Sequence, residues 1–176
     1  MATSFGLAGS DIRSMLNSVI ETYHTLLHEA GVTIGIIMAA NEDGPAIKVG
    51  GYADAACVKV VSLKDRLTKS YDAELLIDHN TWTELSYAGR VALLDHEMSH
   101  LELSKIEFIR DSENPEAPLK LVCGRDDYGR PKLKLRPGDW NAGDGFKAVV
   151  ERHGDAAIEV RNLQHASKLA GVESGT

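Results

Sequence analysis

The run His96-Glu97-Met98-Ser99-His100 lies inside a stretch that reads as an amphipathic helix, and this combination limits the folds open to the chain. Ser86 supplies an N-cap, and the spacing of apolar residues predicts a helix from there to about Ser104. Residues four apart on a helix lie one above the other, so His96 and His100 project from one face. Val91, Leu94, Met98 and Leu101 form a separate apolar stripe that can anchor the helix in a core. A fold that satisfies both features buries one side of this helix and opens the other onto a cleft.

Neutral imidazole binds zinc at about 2.0–2.1 Å, and two imidazoles at this spacing can share one ion. Glu97 sits one step round the helix, where it can take a proton from metal-bound water attacking a peptide carbonyl and pass it to the leaving amine. The pattern therefore points to Zn2+ as cofactor, His96 and His100 as ligands and Glu97 as general base. A catalytic zinc site usually has three protein ligands plus water. Ile106 stands where the extended metzincin pattern would place the third, so that ligand must come from further along the chain. Asp139, in Arg-Pro-Gly-Asp-Trp, follows a predicted hairpin and is the leading candidate. Asp144, Glu151 and His153 are its rivals, although Asp144 also suits a helix N-cap, Glu151 a surface pair with Lys147, and His153 a helix C-terminus. His24 and His28 read as a solvated face, and His79 and His165 as surface residues. Asp95 suits either a second-layer contact that orients a ligand or a solvent-facing position.

Along the rest of the chain, Ser10-Asp11 opens a helix expected to stop near Gly31. Val32–Ala39, residues 56–63 and Ala73–Asp78 read as strands. A hairpin is expected from Leu119–Cys123 to Lys132–Arg136 across a turn at Asp126–Gly129, and two helices from Gly145 are broken at Gly154. The class is mixed α+β. With 176 residues, no repeat and no linker, the chain is expected to form one domain over residues 10–170. Residues 1–9 and 171–176 are expected to be flexible ends. The charge balance, 26 acidic residues against 19 basic, argues against a whole-protein grip on nucleic acid or an anionic membrane. No apolar stretch is long enough to span a bilayer, and two distant cysteines suit a reduced, cytoplasmic setting.

Several segments together resemble a known family. Asp72-Ala-Glu-Leu-Leu-Ile-Asp, Trp82-Thr-Glu-Leu-Ser and Arg90-Val-Ala-Leu-Leu-Asp-His-Glu-Met-Ser-His-Leu-Glu are similar to the putative phage metallopeptidases, and Gly129-Arg-Pro-Lys-Leu-Lys-Leu-Arg, Asp139-Trp, Gly145-Phe and Val150-Glu-Arg-His-Gly continue the likeness. The resemblance covers about residues 55–154. It implies a small zincin-like domain, with a mixed sheet packed on the HExxH helix and further helices. It implies zinc on His96 and His100 with Glu97 as base, in the cytoplasm of a bacterial host if the chain is phage-encoded. It also implies an edge strand bordering the cleft, expected at Ala73, Glu74, Leu75 and Leu76, to which a peptide or protein substrate adds by backbone hydrogen bonds. Many members carry His-Asp where this chain has Gly138-Asp139. The retained carboxylate favours Asp139.

Two other functions compete with a zinc-dependent peptidase. One is a non-catalytic, metal-stabilised protein that binds a host factor. The other is a nucleic-acid-associated protease of the SprT-like type, supported only by the basic face of Lys132, Lys134 and Arg136.

Overall fold

Four strands form the main sheet, and their lateral order is what places the HExxH helix. The computed structural model describes residues 2–140 and 145–169. In chain order the elements are β1 (Ser4–Leu7), α1 (Ser10–Tyr23), α2 (Thr25–Glu29), β2 (Ile34–Ala40), β3 (Lys48–Val49), β4 (Tyr52–Ala53), β5 (Ala56–Val60) and β6 (Ala73–Asp78). They continue with α3 (His79–Glu84), α4 (Tyr87–Ser99), β7 (Leu101–Leu103), β8 (Glu107–Ile109), β9 (Lys120–Val122), β10 (Leu133–Leu135), α5 (Lys147–His153) and α6 (Ile158–Leu169). The main sheet runs β1-β2-β6-β5. The central pair β2 and β6 is parallel, and the flanking strands are antiparallel to their neighbours. The fold is α+β and zincin-like.

The central strands are Ile-, Leu- and Ala-rich because they are covered, as buried parallel strands must be. Ile34, Ile36, Ala73, Leu75 and Ile77 all lie in the core. Against them α1 packs Ile12, Leu16, Val19 and Ile20, one stripe at helical spacing, and α4 packs Leu93, Leu94 and Met98. A smaller core of Phe146, Val149 and Ala157 joins α5 and α6.

Five expectations need correction. Residues 1–9 are not all a loose end, since Ser4–Leu7 pair with Ile37–Ala40 as β1. The first helix does not run unbroken to Gly31. His24, with φ −125° and ψ 52°, interrupts it, and Gly31 at φ +72° ends the second piece. The motif helix stops at His100, not Ser104, because Leu101–Leu103 are drawn into antiparallel pairing with Leu133–Leu135. The expected hairpin is also re-partnered: Lys120–Val122 pair with Glu107–Ile109, although an isolated bridge between Arg125 and Pro131 still closes the Asp126–Gly129 turn. Finally, Ala73–Asp78 is an interior strand. The sheet ends at Ala56–Val60, so β5 is the edge strand beside α4. The expected flexible segment 171–176 lies outside the described residues. Among the described residues no helix is long and apolar enough to cross a membrane.

A buried ionic cluster fixes the Asp126 turn to the sheet. Arg66 donates to Asp126 at 2.8 Å and Arg130 to Asp72 at 2.9 Å, while Asp72 also accepts from the amide and hydroxyl of Thr33. The chain between β9 and β10 is thereby held where it can deliver Arg136 to the end of α4.

Candidate metal centre

Helix α4 begins at Ser86, whose hydroxyl accepts from the Gly89 amide at 3.1 Å, and so sets the rotation of the motif. The imidazoles of His96 and His100 lie with their Nε2 atoms 3.3 Å apart. Each ring is held from behind. His96 Nδ1–H donates to Glu159 Oε1 at 2.7 Å, and His100 Nδ1–H donates to the Arg136 carbonyl at 2.9 Å. A carboxylate and a carbonyl can only accept, so each Nδ1 carries a proton, and in the neutral rings both Nε2 lone pairs face each other. Two acceptors converging in this way suit a cation. The edge of a tetrahedron with zinc–nitrogen bonds of about 2.0–2.1 Å is about 3.4 Å, close to the separation found. The donor set therefore fits a metal ion.

A buried aromatic ring backs the pair. Phe146 is fully buried and meets both rings edge-on, at 5.4 Å from His96 and 4.7 Å from His100. The Arg136 guanidinium caps the far side of the Phe146 ring at 4.8 Å. Glu159 also accepts from the Phe146 amide at 3.0 Å, and its buried Oε2 has no hydrogen-bond partner among the described residues. Burial works against charge on His96, but the Glu159 hydrogen bond and the negative charge of Glu97 outweigh it and raise its pKa. Glu159 is correspondingly lowered: burial opposes this, and the bonds from His96 and the Phe146 amide prevail.

Glu97, on the motif helix, is buried. Its charge acts on His96 and, together with burial, pushes up the Cys57 thiol of β5.

The proposed third ligands fare differently. Asp139 is half exposed and accepts from the Lys147 amide at 2.9 Å, satisfying the first turn of α5. Arg136 lies 3.7 Å from its other oxygen. Glu151 is an exposed partner of Lys147. His153 donates to Asp95 at 2.8 Å and faces Tyr23. None of these three is brought to the imidazole pair, and Asp144 lies outside the described residues. Among the described residues no group of three His, Cys, Asp or Glu side chains is arranged to hold a metal.

Asp95 faces away from solvent entirely. It accepts from His24 at 2.8 Å, from His153 at 2.8 Å and twice from Arg152 at 2.7 Å. Burial opposes its ionisation, yet these donors hold its pKa down at about 2. His24 is therefore no part of a solvated face. It turns inward, and that turn accounts for the break between α1 and α2. The basic face of the last strand is also partly used up, since Lys134 pairs with Glu102 and Arg136 donates to the Ser99 carbonyl.

Glu159, Phe146 and the Arg136 carbonyl went unnoticed in the sequence. The available signal was a single carboxylate within the apolar run Ala156-Ala157-Ile158-Glu159-Val160, where burial demands a partner.

Searches of curated proteins and of solved structures gave no match. Residues 7–168 match the family described as "Putative phage metallopeptidase". That match spans β2, β5 and β6 of the sheet, the motif helix, Phe146 and Glu159, and the chain belongs to this family.

Proposed function

We propose that the chain is a zinc-dependent peptidase in which His96 and His100 hold the metal and Glu97 is the general base. The observation that carries the reading is the convergence of two Nε2 acceptors at 3.3 Å, each ring locked from behind by its Nδ1 bond. When bound, zinc supplies Lewis acidity, which polarises a carbonyl and makes water easier to deprotonate. Glu97 takes the proton of the attacking water on its carboxylate and hands it to the nitrogen of the departing amine. Phe146 packs edge-on against both imidazoles and steadies them from behind.

The edge strand β5 supports a peptide substrate. The Val61 amide donates to Asp72 and the Ala55 carbonyl accepts from Asp78, so the odd-numbered residues of this stretch turn towards β6. An antiparallel residue presents its N–H and C=O to the same side, which leaves those of Ala56, Val58 and Val60 on the free edge. An extended peptide pairing there passes Glu97. Two free cysteines, Cys57 and Cys123, suit the reducing cytoplasm of a host cell.

The test is Glu97→Gln assayed on a peptide library by mass spectrometry. Wild-type protein is expected to cut, and the variant to lose at least about a hundredfold in rate while keeping its zinc. Cutting by Glu97→Gln at the wild-type rate would remove the mechanism. A non-catalytic, metal-stabilised binder of a host factor draws support from the two-ligand geometry of the described residues. On that reading His96→Ala lowers stability and capture of the host factor, whereas Glu97→Gln changes neither.

A further inference from the structure

We propose that the free edge of β1 pairs with the β1 edge of a second copy of this chain, joining the two main sheets across a two-fold axis at Gly6. The main sheet has two ends, β5 on one side and β1 on the other. The Ala8 amide donates to the Ile36 carbonyl at 3.3 Å, which makes Ala8 and Ile36 a hydrogen-bonded pair in the antiparallel ladder of β1 and β2. By alternation Gly6 and Ser4 also turn their N–H and C=O groups towards β2. Phe5 and Leu7 therefore present theirs to the open side of the sheet. The side chains of these two residues share one face and are 66% and 90% exposed.

This edge matches itself. When two β1 strands run antiparallel with Gly6 opposite Gly6 of the other copy, Phe5 of each copy faces Leu7 of the other. Those residues form hydrogen-bonded pairs, each exchanging both of its N–H···O=C bonds. Phe and Leu then lie side by side on one face, an aromatic–aliphatic contact of the kind that stabilises paired strands. The contact closes on itself, as an isologous two-fold interface must. At the axis Gly6 has no side chain to hold the strands apart, and a Cβ built there meets nothing within 4 Å.

Charge singles out a second copy as the occupant. The chain carries 26 acidic residues against 19 basic, so two copies repel each other over most of their surface. Residues 2–10 hold no charged side chain, and pairing there sets no like charges face to face. At the other end of the sheet the exposed Lys59 stands within β5, the kind of charge that keeps an edge from joining its own copy. A four-residue strand buries less than the ~1,200 Å² of a standard interface, which makes the pairing reversible and concentration-dependent. Both β5 edges lie at the outer ends of the joined sheet, away from the contact.

The experiment is sedimentation equilibrium of the full chain from micromolar to near-millimolar concentration. The mass of the wild type is expected to rise from one chain towards two. Leu7→Lys, which places a charge on the edge, is expected to stay at one chain with an unchanged thermal melt. Cysteines report the register. Gly6→Cys meets its own copy at the axis, at a Cα separation of about 4.5 Å that a disulfide spans, whereas Phe5→Cys meets Leu7. On mild oxidation Gly6→Cys is expected to form covalent dimers at least about tenfold faster than Phe5→Cys or the wild type with its Cys57 and Cys123. A wild type that stays monomeric throughout would leave the edge to a different partner and overturn the proposal. A dimer that persists in Leu7→Lys, or Gly6→Cys linking no faster than Phe5→Cys, would overturn it as well. If Leu7→Lys does not fold, the two cysteine variants decide.

Discussion

Asp95 and His96 are neighbours on one helix, yet the two sides of α4 are finished in opposite ways. On the Asp95 side every demand is met: a buried carboxylate receives four hydrogen bonds from three cationic or potentially cationic side chains on the α1–α2 junction and α5. On the His96 side two ring nitrogens face each other, and among the described residues the buried Glu159 Oε2 has no hydrogen-bond partner. The first arrangement fastens a helix. On the proposed reading the second leaves binding capacity that a cation can use, and the fastening keeps that capacity in register. That reading divides stability and function between adjacent residues, in line with the tendency of functional sites to leave local demands unsatisfied.

The largest effect should come from breaking the saturated side. Asp95→Asn removes the buried counter-charge of the partly exposed Arg152 and of two imidazoles, and a loss of about 2–3 kcal/mol in unfolding free energy is expected from denaturant titration. An effect below about 1 kcal/mol would mean that the cluster does not fasten the helix. The same contrast has a pH signature. Because the Asp95 pKa is lowered to about 2 in the fold, its contribution is complete above the unfolded carboxylate range and is lost as pH falls towards about 2. Wild-type stability should therefore decline between about pH 4 and pH 2 by about 2 kcal/mol more than that of Asp95→Asn, by thermal melts across that range. Parallel pH curves for the two proteins would count against the cluster. The smallest effect concerns the open side. Glu159→Gln keeps the shape of the side chain but weakens its hold on His96, and zinc affinity should fall by about tenfold with little change in metal-free stability. A change in stability with no change in affinity would make Glu159 a fastening residue like Asp95.

Much of the fold could be read from local pattern. Ser86 marks the start of α4, Gly154 separates α5 from α6, and the strands at Ile34–Ala40, Ala56–Val60 and Ala73–Asp78 lie where their apolar runs predict. What escaped depends on partners distant in sequence. Helical spacing continues through Leu101 and Leu103, and only their pairing with Leu133–Leu135 turns that stretch into a strand. Ser4–Leu7 is exposed throughout, so no alternation announces β1. Lateral order is equally silent, because β5 and β6 both read as strands and nothing local says which lies at the edge. In the candidate site, the juxtaposition of His96 and His100 was legible because their spacing is internal to one helix end. Glu159 was not, since it reaches His96 from 63 residues away.

The most direct test of the account is metal content, measured by mass spectrometry on purified, tag-free wild-type protein and on His96→Ala. The account predicts about one zinc per wild-type chain and none in the variant. A folded wild-type protein that neither carries zinc nor takes it up when supplied would contradict it.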